Sequence, residues 1–539
     1  MAKDTQYEIE RQKTIAENRK LLDSLGLDDG GAARLNLAPK PKPPPATRKR
    51  KAPPVKIEAE GPRRRSGRLA GLELDDAALA VKAEEEEKKL EEIRIVNRKI
   101  REQVMAIKDI VEDTPERLIP ELEAFLPTVG AATNARVYPS VSTPAKEAYA
   151  DNDALPAEVQ RLQSAFSNMV LTANTKVTTE RVFSMVVHPE PTKTLVLVGD
   201  KNGQLGIWDA MGPGAAPAGE DEEDIEDDGT GRVWRLQAHA RNSITCMKVD
   251  PVVGSSLFAF DDEDMLISHF DLAPGGKEAW IADKNGGISH CDFREAGGER
   301  RRWVVQEEGR AAKLGGISVN PLMPHLICTA GNDQHVRIWD VRHLAKINPR
   351  ATDSLEPPKS EDGTDRLPTY PTSNIPRDRV SSYMEGPKGK GLLRAAYQHG
   401  KSCSAAYWDP WGRRIVTTSY DDKLRVWTLN PQSFMLDAPL PATHFKPGKV
   451  IPHNCQTGRW LTILRAQWSL NTEYMPHFTI GNMKRNLDVI AATGDKIVSL
   501  WADGVTAVPA VTASHPSRVD HVLGGNTSGR IQLWTSSPE

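Results

Sequence analysis

The sequence predicts an all-β fold, a seven-bladed β-propeller behind a largely disordered, partly helical N-terminal arm. Two observations carry that reading. Of the 539 residues, none before 208 is a tryptophan and all twelve Trp lie from Trp208 onward, so only the C-terminal part has the bulky side chains for a large core. Within that part six segments end in one frame: LVLVGDKNGQLGIWD from 195, AWIADKNGGISHCDF from 279, LICTAGNDQHVRIWD from 326, RIVTTSYDDKLRVWT from 414, DVIAATGDKIVSLWA from 488 and HVLGGNTSGRIQLWT from 521. Each reads strand, polar turn, strand, and such repetition marks propeller blades.

The arm spans 1–160. Ile15, Leu22 and Leu25 fall at helical spacing ahead of Gly26, which predicts a short amphipathic helix with a glycine cap. The Pro-rich linker LAPKPKPPPATRKRKAPPVK follows, too polar to bury a core. Beyond it Ile93, Val96, Ile100, Val104, Ile107 and Val111 form one helical stripe. That helix either docks on the folded part, meets a partner, or stays solvated.

The propeller spans 161–539. Six residues before each terminal Trp, or before Cys291 in its place, stands a turn-former: Asn202, Asn285, Asp333, Asp421, Asp495 or Ser528. Pro189, Pro274, Pro321, Pro410 and Pro516 close earlier strands. A further start, HARNSITCMKVDP from 239, brings the expected total to seven. That second blade is short, because only 23 residues separate Pro251 from Pro274, where a full blade takes roughly 40. Disordered insertions are expected near 212–231 and 345–390. The last blade lacks an outer strand, which 176–182 should supply to close the ring and hide its edges.

Composition narrows the function classes. The five cysteines are far apart, with no C-x-x-C pair for zinc or redox work, and neither a metal nor a cofactor is expected. No signal core or bilayer-spanning run occurs, which predicts a soluble, intracellular chain without a membrane role. No nucleophile, base and orienter share a frame, so no catalytic residue is assigned. The acidic run GEDEEDIEDD at 219–228 reads as a solvated loop, or as a contact for histones or another basic partner.

Cations are more informative. Lys201, Lys284, Lys423 and Lys496 occupy turns between second and third strands; Arg241, Arg310, Lys313 and Lys401 lie in or beside loops leading into first strands. In a propeller these loops open on one face. Exposed lysine is common in turns, yet a cationic ring is also the footprint of a phosphate-binding surface. Separately, 40–68 holds eleven basic and two acidic residues in a chain of net charge -3. Its two blocks, with Arg48, Lys49, Arg50, Lys51, Arg63, Arg64 and Arg65, fit a bipartite nuclear import signal, and could also neutralise DNA phosphates.

His399, Ser419, Asp421 and Trp427 make the blade near 403–429 resemble the WD-repeat pattern, whose members join these four types in a buried hydrogen-bond chain. The segments YEIERQKTIAENRKLLDSLGL, RRRSGRLAGLE, FSMVVHP, DKNGGISHCDFR and SAAYWDPWGRRIVTTSYDDKLRVW together resemble the fungal DNA damage-binding WD-repeat family called changed mutation rate. That family is related to the damaged-DNA receptor of nucleotide-excision repair. The resemblance implies a nuclear, non-enzymatic protein that binds DNA, prefers lesions and associates with chromatin; the short second blade departs from it. Asp333, Trp339, Asp340 and Arg342 also resemble the WD-x-R box of cullin-RING ligase substrate receptors, with CDFR at 291–294 a weaker copy. That implies a ligase adaptor as partner on the opposite face. Two classes stay open, a DNA- or chromatin-binding propeller and a protein-only scaffold.

Overall fold

The computed structural model describes residues 120–121, 124–129, 155–212, 230–239, 242–249, 257–258, 267–294, 300–307, 309, 311–354 and 373–537. The chain divides into units 1–84 and 85–539, and every described residue belongs to the second. Both helices expected in the arm, the basic blocks and the acidic run lie outside the described residues.

Among the described residues six blades form, not the seven expected. Blade 1 comprises Val182–Val187, Leu195–Asp200, Gln204–Asp209 and Arg232–Gln237. Blade 2 comprises Ile267–Leu272, Glu278–Asp283, Gly287–Asp292 and Arg301–Val304; blade 3 comprises Leu314–Val319, Leu326–Gly331, His335–Asp340 and Leu393–Gln398. Blade 4 is built from Cys403–Trp408, Arg414–Ser419, Lys423–Thr428 and Lys449–Pro452, and blade 5 from Gln467–Trp468, His477–Gly481, Leu487–Ala491 and Lys496–Leu500. Blade 6 takes Val511–Ser514, Val522–Gly525 and Arg530–Ser536, completed by Met169–Lys176. First strands pack together in sequence from blade 2 through blade 6 and on to blade 1, while Val182–Val187 of blade 1 packs on Lys248–Val249. Second strands of blades 1, 3 and 4 are buried at every position, as expected for a strand flanked on both edges and covered on both faces.

The missing blade has a length explanation. Where the sequence promised a second blade there is only a two-stranded pair, Lys248–Val249 with Leu257–Phe258. The segment LISHF does not end that blade, since Ile267–Leu272 already begins the next one.

Two other expectations shift. The strand that closes the ring is Met169–Lys176, antiparallel to Arg530–Ser536, and not 176–182. The amides of Val177 and Thr178 turn onto the Gly529 carbonyl at 2.9 and 3.2 Å, which ends the ladder and frees the chain to enter blade 1. Within the 345–390 insertion Ser373–Ile375 adds a parallel fifth strand to blade 2, and a helix follows at Arg377–Glu385. Buried Ile375 and Val380 join a core with Trp303 and Leu344, and Arg379 pairs with Asp353. Apolar residues inside a Pro-rich stretch therefore anchor it.

The arm's boundary moves as well. A helix at Leu155–Ala165 spans the expected limit at 160. Its Leu162, with Phe166 beyond, is buried against Met475, Val505 and Trp534, so the folded part begins before 161.

In blade 4 the expected four-residue chain is rearranged. Arg425 sits between its members, donating to His399 Nδ1 at 3.0 Å and to Asp421 at 2.6 and 3.0 Å. Trp427 touches His399 edge-on, with ring centroids 6.0 Å apart, while its Nε1 has no hydrogen-bond partner. An arginine two residues before Trp427 displaces the direct His–Asp link because a guanidinium makes charge-assisted, bidentate hydrogen bonds to the partly buried Asp421 carboxylate.

Candidate nucleic-acid interface

The lysine-bearing turns are set by buried acids. In blade 1 Asp200 Oδ1 accepts from the amides of Asn202 and Gln204 at 2.8 and 2.9 Å. In blade 2 Asp283 Oδ1 repeats this with Asn285 and Gly287 at 2.8 and 2.9 Å. The carboxylate faces inward to bind the turn, so the next residue, Lys201 or Lys284, is turned outward and exposed. Gly203 completes the first turn at φ 88°, where an added Cβ would fall 1.7 Å from the His239 carbonyl oxygen; only glycine fits there.

Hydrogen bonds fix which loops share the face. The Lys201 amide donates to the Arg181 carbonyl at 3.0 Å, Asn332 to Lys313 at 2.9 Å and Tyr420 to Ser402 at 3.0 Å. Each joins a turn between second and third strands to the loop leading into the same blade's first strand. Lys201, Lys284, Lys313, Lys401, Lys423 and Lys496 consequently belong to one face of the propeller.

Their electrostatic states differ. Lys201, Lys284, Lys401 and Lys423 are exposed. Lys496, also placed on the rim by the sequence, is paired: its Nζ lies 3.0 Å from Asp488, which is 1% exposed at the side chain. Lys313 is half-buried, and burial together with the charges of Arg465 and Lys284 lowers its pKa. Arg241 and Arg310 lie outside the described residues.

A feature the sequence reading missed crosses this face. The loop from His453 to Ala466, between the outer strand of blade 4 and the inner strand of blade 5, arches over the channel mouth. Thr462 Oγ1 donates to the Val182 carbonyl of blade 1 at 2.5 Å, and Arg465 donates to the Gly315 carbonyl of blade 3 at 3.3 Å. Within the arch Thr457 Oγ1 meets the Tyr420 hydroxyl at 3.2 Å, and Arg181 donates to the Arg459 carbonyl at 3.2 Å. Between these ties Gly458 turns at φ 61°, and Trp460 stands 86% exposed. The available signal was periodic: Trp460 falls in none of the six repeat frames.

The adaptor set does not assemble. Asp333 lies in a turn on the lysine face, paired with Arg337 at 2.6 Å, whereas Asp340 and Arg342 stand at the far end of the intervening strand. Trp339 is buried and donates to Thr329 at 2.9 Å. Arg342 alone of the four is half-exposed, held by Asp340 at 2.6 Å. In blade 2 Arg294 is held alike by Asp292 and Glu278, the latter at 2.6 Å. Asp340, His343 and Asp437 cluster at metal-ligand range, but Asp340 already receives the guanidiniums of Arg342 and Arg394. His343 Nε2 is 2.8 Å from Asp437. Two cations on one carboxylate make this an ion-pair site.

The WD domain, G-beta repeat family profile matches residues 392–428, the stretch that forms the end of blade 3 and most of blade 4. DNA damage-binding protein CMR1 of Cryptococcus neoformans var. neoformans serotype D is 59% identical, with 99% of each chain covered. The protein of that name from Mycosarcoma maydis is 31% identical with 100% of each covered, and that from Phaeosphaeria nodorum 29% with 98% of each. The first of these alignments runs over 592 residues against the 539 of this chain, so that relative carries residues facing gaps here.

Proposed function

Since the chain belongs to the DNA damage-binding protein CMR1 family, we propose that it binds DNA, with preference for damaged duplex, on the lysine-bearing face of its propeller. The observation that carries this is the convergence of exposed Lys201, Lys284, Lys401 and Lys423 from four loops of three blades onto one side. Cations spaced around a rim meet a phosphate backbone without reading bases. Lesion preference then comes from the shape and deformability of the duplex. The role is non-enzymatic, in the nucleus and on chromatin, and the basic blocks at 48–51 and 63–65 serve import and nonspecific phosphate contact. Equilibrium binding of the full chain to intact duplex and to the same duplex carrying a lesion tests this. Tighter binding to the lesion, weakened on both by Lys201→Glu, Lys284→Glu and Lys423→Glu together, is expected; no DNA binding would favour a protein-only scaffold.

A second reading has its own observation. Arg342 and Arg294, at equivalent ends of neighbouring blades, are each fixed by an acid two residues earlier and half-exposed on the opposite face. A rigid, exposed guanidinium is a good protein anchor, so that face is available to a ligase adaptor or to histones.

A further inference from the structure

Trp460 has the most exposed side chain among the described large hydrophobics, at 86%. Its exposure is not that of a loose loop. Leu461 packs on the core that contains Leu464, Cys455 and Ala466, Thr457 and Thr462 are buried on either side, and the Arg459 carbonyl is held by Arg181. A turn pinned at both ends presents an indole to water at a cost in apolar hydration. Rigid presentation lowers the entropy lost when such a ring meets a partner.

The surroundings indicate what that partner is. Arg459 is exposed beside it, Arg181 clamps its backbone, and the amide of exposed Lys201 is bonded to Arg181. An aromatic face bordered by cations, in the middle of a lysine-bearing surface, matches a nucleic acid, whose bases offer π faces and whose phosphates offer negative charge. An acidic peptide would meet the cations but gives the indole less to stack upon. In an intact duplex every base is already stacked, and inserting a ring costs a few kcal/mol. Where a base is unpaired or its stack broken, much of that cost has been met.

We propose that Trp460 stacks on an unpaired or unstacked base while Arg459 and Lys201 hold the adjoining phosphates, so that the ligand class is duplex with a locally broken base pair. This rests on the DNA-binding reading above and supplies its lesion preference.

The test uses the full chain with two labelled duplexes of equal length, one fully paired and one with a single-nucleotide bulge. The parent binds the bulged duplex more tightly, and binding quenches its tryptophan emission. Trp460→Ala loses roughly 5- to 150-fold on the bulged duplex, the effect of one lost base–aromatic stack, while keeping the parent's affinity for the paired one. Trp460→Phe retains most of the preference and lacks the quench. If Trp460→Ala binds both duplexes like the parent, while Lys201→Glu, Lys284→Glu and Lys423→Glu together weaken both, the stacking role is overturned and the DNA-binding face stands. If the parent binds neither, both readings fall.

Discussion

Thr462 Oγ1 donates to the Val182 carbonyl at 2.5 Å, joining residues 280 positions apart in the chain. With Arg465 bonded to Gly315 on the other side, that contact turns a connecting loop into a fixed arch over the channel. Thr462→Val is expected to leave the Val182 carbonyl without its side-chain donor and to cost about 1 kcal/mol. The loss should be local. Hydrogen exchange at 458–464 should speed up more than in the blades, and uniform protection would show that the arch is held elsewhere.

The rim lysines should separate by their partners. Lys201→Glu, Lys284→Glu and Lys423→Glu together remove three phosphate contacts, flattening the slope of log K against log salt by about 2.7, at roughly 0.9 per contact on duplex. Each should change stability by under about 0.5 kcal/mol. Lys496→Glu should behave differently, because it sets a like charge against buried Asp488. Thermal melting distinguishes the two groups, and equal melting of all four variants would contradict the pairing.

Arg394 and Arg342 share Asp340 but not its burial. Arg394 Nη1 is 3.1 Å from Asp340 with both side chains 0% exposed, and it also donates to the carbonyls of Ala438 and Phe434 at 2.9 and 3.1 Å. Arg394→Ala is expected to cost about 3–5 kcal/mol, the usual result of stripping one partner from a buried pair. Arg342→Ala should cost under about 1 kcal/mol, because the Arg342 side chain is itself half in water and Asp340 keeps Arg394. Denaturant midpoints of the two variants check the contrast, and they make any partner lost by Arg342→Ala a surface effect.

Three histidines make stability depend on pH. Burial holds the imidazoles of His399, His477 and His515 down at about 4, with the Arg425 guanidinium adding to the effect at His399. In the unfolded chain they titrate near 6.5, so between these values the unfolded state binds more protons. Stability from these groups is full above about pH 6.5 and is lost as pH falls toward about 4, by at most about 1.4 kcal/mol per pH unit for each group. Urea midpoints measured from pH 7.5 down to 4.5 should fall steadily; a flat profile would mean that the rings titrate normally.

Replacing Arg48, Lys49, Arg50, Arg63, Arg64 and Arg65 with Ala is expected to leave the propeller folded and the chain cytoplasmic. Imaging of the tagged full chain checks this, and undiminished nuclear accumulation would remove the import role.

The propeller class was legible because it is written locally and repeatedly. A strand, an Asx-type turn and a strand need neighbours within about fifteen residues, so frames such as GDKNGQLGIWD and ADKNGGISHCDF announce their hairpins and place Lys201 and Lys284 outward. The shortage of chain between Pro251 and Pro274 was equally visible in the sequence. What it left of the blade was decided in three dimensions: among the described residues two short strands remain, and one of them packs on the first strand of blade 1. Pairing of Lys496 with Asp488, intrusion of Arg425 between His399 and Asp421, and docking of Ile375 and Val380 under blade 2 all depend on where side chains arrive in space. The arch that carries Trp460 is the clearest case. Its residues form no repeat, and its position comes from bonds to Val182 and Gly315, partners that lie far away in the sequence and meet it only when the ring closes.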